Sequence, residues 1–480
     1  MLQLKGLTAC VSRELTGAGG LIEIFNRLRA DSYPWLLDSA LASERLGRVS
    51  LAGADPYLVL RARGSRVELD CRRAVRPGLV PGRRFVDADP LELLRALQPA
   101  VPTDVAPSVP FVGGAVGYLG YELGDQIEPI GFRSADDLGL PDLYLLFVDR
   151  VVGLDLATGR MTLHTLGFGD TSLRAHERAR AVADEFCDRL ARSTRTTRRV
   201  PDTAPPSRPP FAYFEAGTYA KAIDLAKQEI TAGNAYQICL THRQERDFHG
   251  DPWDLYQRLR ERNPAPFASY LELPEVVIAS SSPERFLRLS ADRCVESRPI
   301  KGTRRRATEA AEDRANRALL ACSVKDRAEN LMIVDLVRND LGRVCETGSV
   351  EVPELMAIEA YASVFQMVST VSGRLRSDCD AVDLLRATFP PGSMTGAPKI
   401  AAMRILDRLE PVRRGVYSGA LGYFDVRGGL DLSVVIRTVM FQHGRAYVHS
   451  GGGIVADSDP LDEYRETLDK ARPLLTALEG

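Results

Sequence analysis

The sequence has no C-x-x-C pair among its eight cysteines, no run of about 18 apolar residues, and no surplus of either charge. The first absence leaves no zinc-type spacing. Eight thiols in 480 residues are also too sparse for a disulfide framework, so buried free cysteines are the ordinary account. The second absence leaves no helix that spans a bilayer. Met1–Leu15 carries Lys5, Arg13 and Glu14 without an uninterrupted apolar core of signal-peptide type, so the expected location is the cytoplasm. The third follows from 62 Lys+Arg against 64 Asp+Glu, a net charge of −2, and it argues against nucleic-acid or membrane-surface binding. No G-K-[ST] string supplies a phosphate cradle, and no G-x-C-x-G string supplies a cysteine nucleophile elbow. With 45% apolar and 26% charged residues, what remains is an ordinary globular chain long enough for a large core.

The sharpest composition break is Thr194–Pro210, TRTTRRVPDTAPPSRPP, whose prolines forbid a helix or central strand. It divides the chain into an N-terminal part, 1–193, a linker, 194–212, and a C-terminal part, 213–480. Upstream, Leu143–Val148 reads as a strand, and Val151–Leu156 with Met161–Leu166 as a hairpin, followed by a helix over Thr171–Leu190. Phe111–Gly124 is glycine-dense and reads as a bulged strand or turn. Downstream, Thr218 is a candidate cap for a helix ending at Gly233-Asn234, and Tyr236–Leu240 and Val276–Ser280 read as strands. Helices are expected over Glu309–Arg338, with a break near Val324, and over Val382–Thr388, Ile400–Leu409 and Pro460–Leu478. Leu432–Phe441 and Arg445–Val448 form a hairpin. Strands and helices without regular βαβ alternation predict an α+β fold.

Several segments carry groups suited to chemistry. Asp326 and Glu329 sit three apart on one helix face, as do Glu463 and Glu466, with Lys470 one turn further on. Four carboxylates on two helices suit a hard divalent cation such as Mg²⁺, although acidic pairs at this spacing are commonly plain surface. His449–Pro460 contains three adjacent glycines, and Phe389–Lys399 combines Gly, Ser and Thr; each suits an anion-contacting loop or a simple turn. Glu284 follows a strand as a candidate acid or base, and Lys301 lies beside a glycine in a basic stretch.

The strings GNAYQICLTHR, SSSPERF, RPIKGTRRR, KDRAENLMIVDLVRNDLG, FPPGSMTGAPK, YSGALGY, VVIRTV, GGGIVADSDP and DEYRETLDK occur in this order between Gly233 and Lys470. Together they resemble the chorismate-utilising enzyme family, which holds anthranilate synthase component I, aminodeoxychorismate synthase component I, isochorismate synthase and salicylate synthase. PWLLDSA, GRVSLAGADP and FVGGAVGYLGYE extend the resemblance to the N-terminal part. It implies an anthranilate-synthase-component-I-like α+β fold: two intertwined subdomains, antiparallel sheets packed as a sandwich, helices outside, and the active site in the cleft.

The resemblance also implies roles. Glu329 and Glu466 match Mg²⁺ ligands, with Asp326 and Glu463 holding the metal's waters. Tyr417 and Arg437 match residues that grip the enolpyruvyl carboxylate of chorismate, with Gly451 and Gly453 as backbone donors. Ser393, Thr303 and Lys470 fall among the substrate-binding positions. Glu284 matches a general acid for the departing C4 hydroxyl, since hydroxide leaves poorly unless protonated.

Two positions bear on the member. Family enzymes that attack with water carry a lysine where this chain has Gln237. PIKGT, with Lys301, is the pattern of aminodeoxychorismate synthase, where anthranilate synthases have PIAGT. An amine at that place attacking C2 would direct ammonia to C4. The resemblance further implies a separate glutamine amidotransferase subunit as ammonia source. It also implies a tryptophan pocket at Leu37, Ser39, Pro266 and Phe267, with Asp38 and Ala268 departing from the usual Glu and Met.

Overall fold

The computed structural model describes residues 6–17, 19–41, 46–98, 110–192, 209–361 and 364–479. Among the described residues, two twelve-stranded sheets are built from antiparallel ladders. Each sheet is part N-terminal and part C-terminal, joined by one antiparallel pair. In the first, Trp35–Asp38 pairs with Phe267–Glu272, Leu36 facing Tyr270. In the second, Gly114–Leu119 pairs with Ala420–Asp425, Gly117 facing Gly422. The sequence segments on either side of the linker are therefore interleaved in space. Most of the expected linker lies outside the described residues; its end, Phe211–Ala212, pairs as a short strand with Glu245 and Gln244.

Side-chain alternation explains why the joining strands are apolar on both faces. Leu36, Tyr270, Ala279 and Val439 point outward into a cluster with the helices Leu21–Leu28, Pro252–Arg262 and Pro460–Glu479. Their neighbours Trp35, Leu271, Ile278 and Met440 point inward and meet Val59, Val116, Tyr144 and Leu421 of the second sheet. That inner cluster is the sandwich core. A third cluster packs helices Pro90–Leu97, Val324–Gly342 and Ala381–Thr388 on the outer face of the second sheet. The α+β sandwich with external helices is as expected.

Most sequence-derived elements recur, with instructive exceptions. Glu215, not Thr218, is the N-cap of helix Ala216–Thr231; Thr218 is its third residue and its hydroxyl accepts from Glu215 N at 2.9 Å. Phe111–Gly124 is more than a bulge: it supplies the central strand Gly114–Leu119 and a 3₁₀ helix, Tyr121–Gln126. The break near Val324 is Ser323, which ends helix Ala310–Cys322 and caps helix Val324–Gly342. Among the described residues no helix is long and apolar enough to cross a membrane.

Phe25, fully buried, joins the two chain halves by contacting Trp253 at 4.8 Å and Tyr270 at 6.0 Å between ring centroids. Phe25→Ala is expected to lower stability by about 3–5 kcal/mol. Because the halves share sheets, urea unfolding followed by fluorescence and by far-UV circular dichroism should shift together; an early transition confined to one half would contradict the interleaving.

Candidate active site

The strand Ile300–Arg305 runs along Val364–Arg374, with Ile300 facing Val368 and Thr303 facing Gln366. Three steps on one strand against two on the other make a β-bulge at Lys301–Gly302. Gly302 has φ +89°, and a Cβ there would lie 2.9 Å from both the Asp326 side chain and Leu320 Cδ1. The bulge re-aims Lys301 inward, where its Nζ donates to the Ser393 carbonyl at 3.3 Å. Thr303, beyond the bulge, is exposed, and no contact in the described structure ties its hydroxyl to this cluster.

Glu284 lies between strands Val277–Ser282 and Arg285–Leu289, with only 5% of its surface exposed. Burial pushes its carboxyl up to about 7, while a hydrogen bond from Ser393, the charge of Lys301 and the Ile300 N–H pull in the other direction. Lys301, Glu284 and Ser393 thus meet at one point. Behind Glu284 is a chamber of about 20 Å³, bounded by Ser393, Asp340, Thr388, Pro299 and Val337, with room for one water-sized molecule.

The two acidic helices bring their carboxylates to the same cleft. Glu463 is buried and accepts from Lys325 Nζ and Ser458 Oγ, both at 2.8 Å; its Oε2 has no hydrogen-bond partner. Glu466 pairs with Lys470 at 2.7 Å, and Lys470 also donates to the Gly451 carbonyl at 2.8 Å. Burial raises the Glu329 carboxyl; Lys301 and Lys325 oppose this, and Glu466 and Glu463 add to it. Lys470 holds Glu466 below the usual carboxylate range. Asp326 is paired with Arg304 at 3.1 Å. Among the described residues no three such side chains form a closed metal cage. The orphaned Glu463 oxygen and the mutual repulsion of Glu329, Glu463 and Glu466 fit a hard cation that takes few protein ligands and keeps waters, as Mg²⁺ does.

The glycine strand Arg445–Ile454 pairs with Gln237–Asp247, Gly453 facing Cys239 and Gly451 facing Thr241. A Cβ at Gly453 would sit 2.2 Å from Gln237 Nε2, which itself donates to Glu329 at 3.5 Å. Gln237 therefore stands between the glycine strand and the acidic helix, with its Oε1 buried and unpartnered. Arg437 adopts φ +51°, uncommon for a side chain of its size, and its Nη1 donates to the Lys470 carbonyl at 2.5 Å. Burial pulls the Arg437 pKa down, with Tyr417 and Glu466 opposing. Tyr417 is buried and stacks on His449 at 4.7 Å; burial holds that imidazole neutral. Nothing in the sequence singled out His449, because a lone histidine in a strand carries no spacing signal.

A separate cavity of about 600 Å³ gathers Leu37, Ser39, Pro266 and Phe267, with Arg285, Tyr423 and Asp431 among its other walls. Asp38 commits its carboxylate to the structure, accepting from Ser50 Oγ at 3.0 Å, Tyr256 OH at 3.1 Å and Arg260 Nε at 2.5 Å. The Ser39 hydroxyl donates to the Val49 carbonyl at 2.8 Å. Arg285, next in chain to Glu284, stacks over the Phe267 ring at 5.1 Å.

The chorismate binding enzyme family matches residues 43–476. Aminodeoxychorismate synthase of Streptomyces griseus is 42% identical over 459 residues, which are 94% of this chain and 61% of that protein. Aminodeoxychorismate synthase component 1 of Salmonella typhimurium is 38% identical over 454 residues, covering 93% of this chain and 94% of that one. The chain thus spans about three-fifths of the first relative and nearly all of the second. Chains named anthranilate synthase component 1 are similar to nearly the same degree. The crystal structure of anthranilate synthase component I from Streptococcus pneumoniae superposes with a TM-score of 0.75 at 30% identity, covering 90% of this chain and 93% of that one. By sequence match, by fold and by the residues converging in its cleft, the chain belongs to the chorismate binding enzyme family.

Proposed function

We propose that the chain is the chorismate-binding component of an aminodeoxychorismate synthase, a transaminating transferase that makes 4-amino-4-deoxychorismate from chorismate and ammonia. The observation that carries this reading is the bulge that turns Lys301 toward Ser393 and Glu284. Chorismate would lie with its ring carboxylate toward Glu329 and Glu466 and its enolpyruvyl carboxylate toward Arg437, Tyr417 and the Gly451 and Gly453 amides. Mg²⁺, when held by Glu329 and Glu466 with Glu463 and Asp326 around its waters, supplies charge neutralisation and orientation for the ring carboxylate.

Lys301, as the neutral amine, attacks C2. The C2–N bond forms, both ring double bonds shift by one position toward C4, and the C4–O bond breaks as Glu284 gives its proton to the departing oxygen, which leaves as water. Ammonia then attacks C4 and loses a proton to Glu284. Both double bonds return, the C2–N bond breaks, and Lys301 leaves as the amine. Nitrogen therefore lands on C4. Ser393 holds the Glu284 carboxyl and, through its carbonyl, the Lys301 amine. A separate glutamine amidotransferase subunit would deliver the ammonia. The second cavity is proposed to take tryptophan between Leu37, Ser39, Pro266 and Phe267.

The alternative is anthranilate synthase component I, given how similar its named members are. Incubation with chorismate, Mg²⁺ and ammonium should yield a product that added aminodeoxychorismate lyase converts to 4-aminobenzoate; anthranilate formed without the lyase would contradict the proposal. Lys301→Ala should lose the 4-amino product by about 10³-fold or more.

Glu284 is needed as the acid form. Loss of its proton near pH 7, set against the neutral amine required of Lys301, predicts that a plot of log kcat/KM against pH bends downward near pH 7. The raised folded-state pKa also means that the contribution of Glu284 to stability is fully present below about pH 4.5 and is lost as pH rises through about 7, about 3 kcal/mol in all. Burial also raises Glu122 to about 7, so Glu284→Gln should reduce the decline in urea midpoints over this window and leave the Glu122 part; an unchanged slope would contradict the assignment.

A further inference from the structure

Arg414 lies outside the cluster of substrate-facing candidates, yet its side chain is among the most deeply buried in the protein, 1% exposed. A guanidinium carries five N–H donors, and here all five are used. Nε donates to Glu410 Oε2 at 2.8 Å and Nη2 to Glu410 Oε1 at 2.7 Å. The second Nη2 hydrogen goes to the Cys239 carbonyl at 2.7 Å, and Nη1 serves the Met394 carbonyl at 2.6 Å and Ser418 Oγ at 3.3 Å.

The three acceptors beyond Glu410 belong to three different cleft segments. Met394 follows Ser393. Ser418 follows Tyr417. Cys239 is the ladder partner of Gly453, and Glu410 itself accepts from the N–H and hydroxyl of Thr241, the ladder partner of Gly451. The Arg414 and Gly415 N–H groups are in turn fixed by the buried Glu122 carboxylate at 2.9 and 3.0 Å. A buried ion pair is weak evidence for stability, because an apolar pair of similar volume often serves as well. What an apolar pair cannot do is hold three backbone segments at fixed spacing.

We propose that Arg414 is a positioning residue: its guanidinium sets the spacing between the segments bearing Ser393, Tyr417 and the Gly451/Gly453 amides, and so the width of the substrate cleft. This rests on the reading of that cleft as the chorismate site. It requires the planar fork and not merely a positive charge beside Glu410, since an ammonium has three donors at one point.

Arg414→Lys and Arg414→Met separate the two requirements. Arg414→Lys should regain melting temperature relative to Arg414→Met by keeping a charge beside Glu410, yet show kcat with ammonium about a hundredfold below native, measured well below the melting midpoint. Hydrogen exchange followed by mass spectrometry should be faster in peptides spanning 389–399, 415–420, 237–241 and 451–454, and unchanged elsewhere. Native kcat in Arg414→Lys, or exchange raised evenly over the chain, would overturn the proposal. Should neither variant fold, Thr241→Val removes one hydroxyl bond to Glu410 and is expected to lower kcat about three- to tenfold, measured well below a melting midpoint that itself falls by only a few degrees; unchanged kcat there would overturn it. If the native protein fails to turn over chorismate, the functional reading falls, and the exchange pattern alone still decides the positioning role.

Discussion

The packing of one bulged strand against one helix fixes the rest of the site. At Gly302 the strand Ile300–Arg305 comes so close to helix Val324–Gly342 that a Cβ would press on Asp326. The extra residue in the ladder then has one way to turn, and it carries Lys301 into the cleft. The same approach places Asp326 and Glu329 of that helix on the cleft wall, so the amine and the acidic face are positioned by a single contact. Glu284 and Ser393 arrive from other strands and loops, and their hydrogen bond closes the arrangement.

Charge balance in the cleft follows from that geometry. Glu329, Glu463 and Glu466 face Lys301, Lys325 and Lys470, but the pairing is uneven. Glu466 has its own lysine, Glu463 keeps an oxygen without a partner, and Glu329 is raised by burial. On the proposed reading such a cluster would hold a cation and, beside it, a ligand carboxylate. Arg437 and the glycine strand lie against the same acidic helices, Arg437 donating to the Lys470 carbonyl and Lys470 to the Gly451 carbonyl, and on the proposed reading they would take the second carboxylate of the substrate.

Much of this was legible in the sequence because the chemistry sits in short strings. Three glycines in a row, an Asp-x-x-Glu and a Glu-x-x-Glu on helices, and a lysine beside a glycine each survive as local features. The four residues Leu37, Ser39, Pro266 and Phe267, far apart in the chain, do line one cavity, since Trp35–Asp38 pairs with Phe267–Glu272. Long-range consequences were not legible. The bulge depends on register between strands about sixty residues apart. The interleaving depends on pairings across the linker, and the five bonds of Arg414 reach acceptors from Cys239 to Ser418. His449 and Glu122 likewise gain their roles only from what surrounds them.

The central claim is that the bulge aims the Lys301 amine at the ring of bound chorismate. A diffraction structure of the native protein with Mg²⁺ and chorismate, without ammonia, tests it most directly. The account predicts Lys301 Nζ bonded to, or in contact with, ring C2, with the ring carboxylate toward Glu329 and Glu466. A bound ring with the Lys301 side chain turned away from C2, or with its carboxylate remote from both acidic helices, would contradict it.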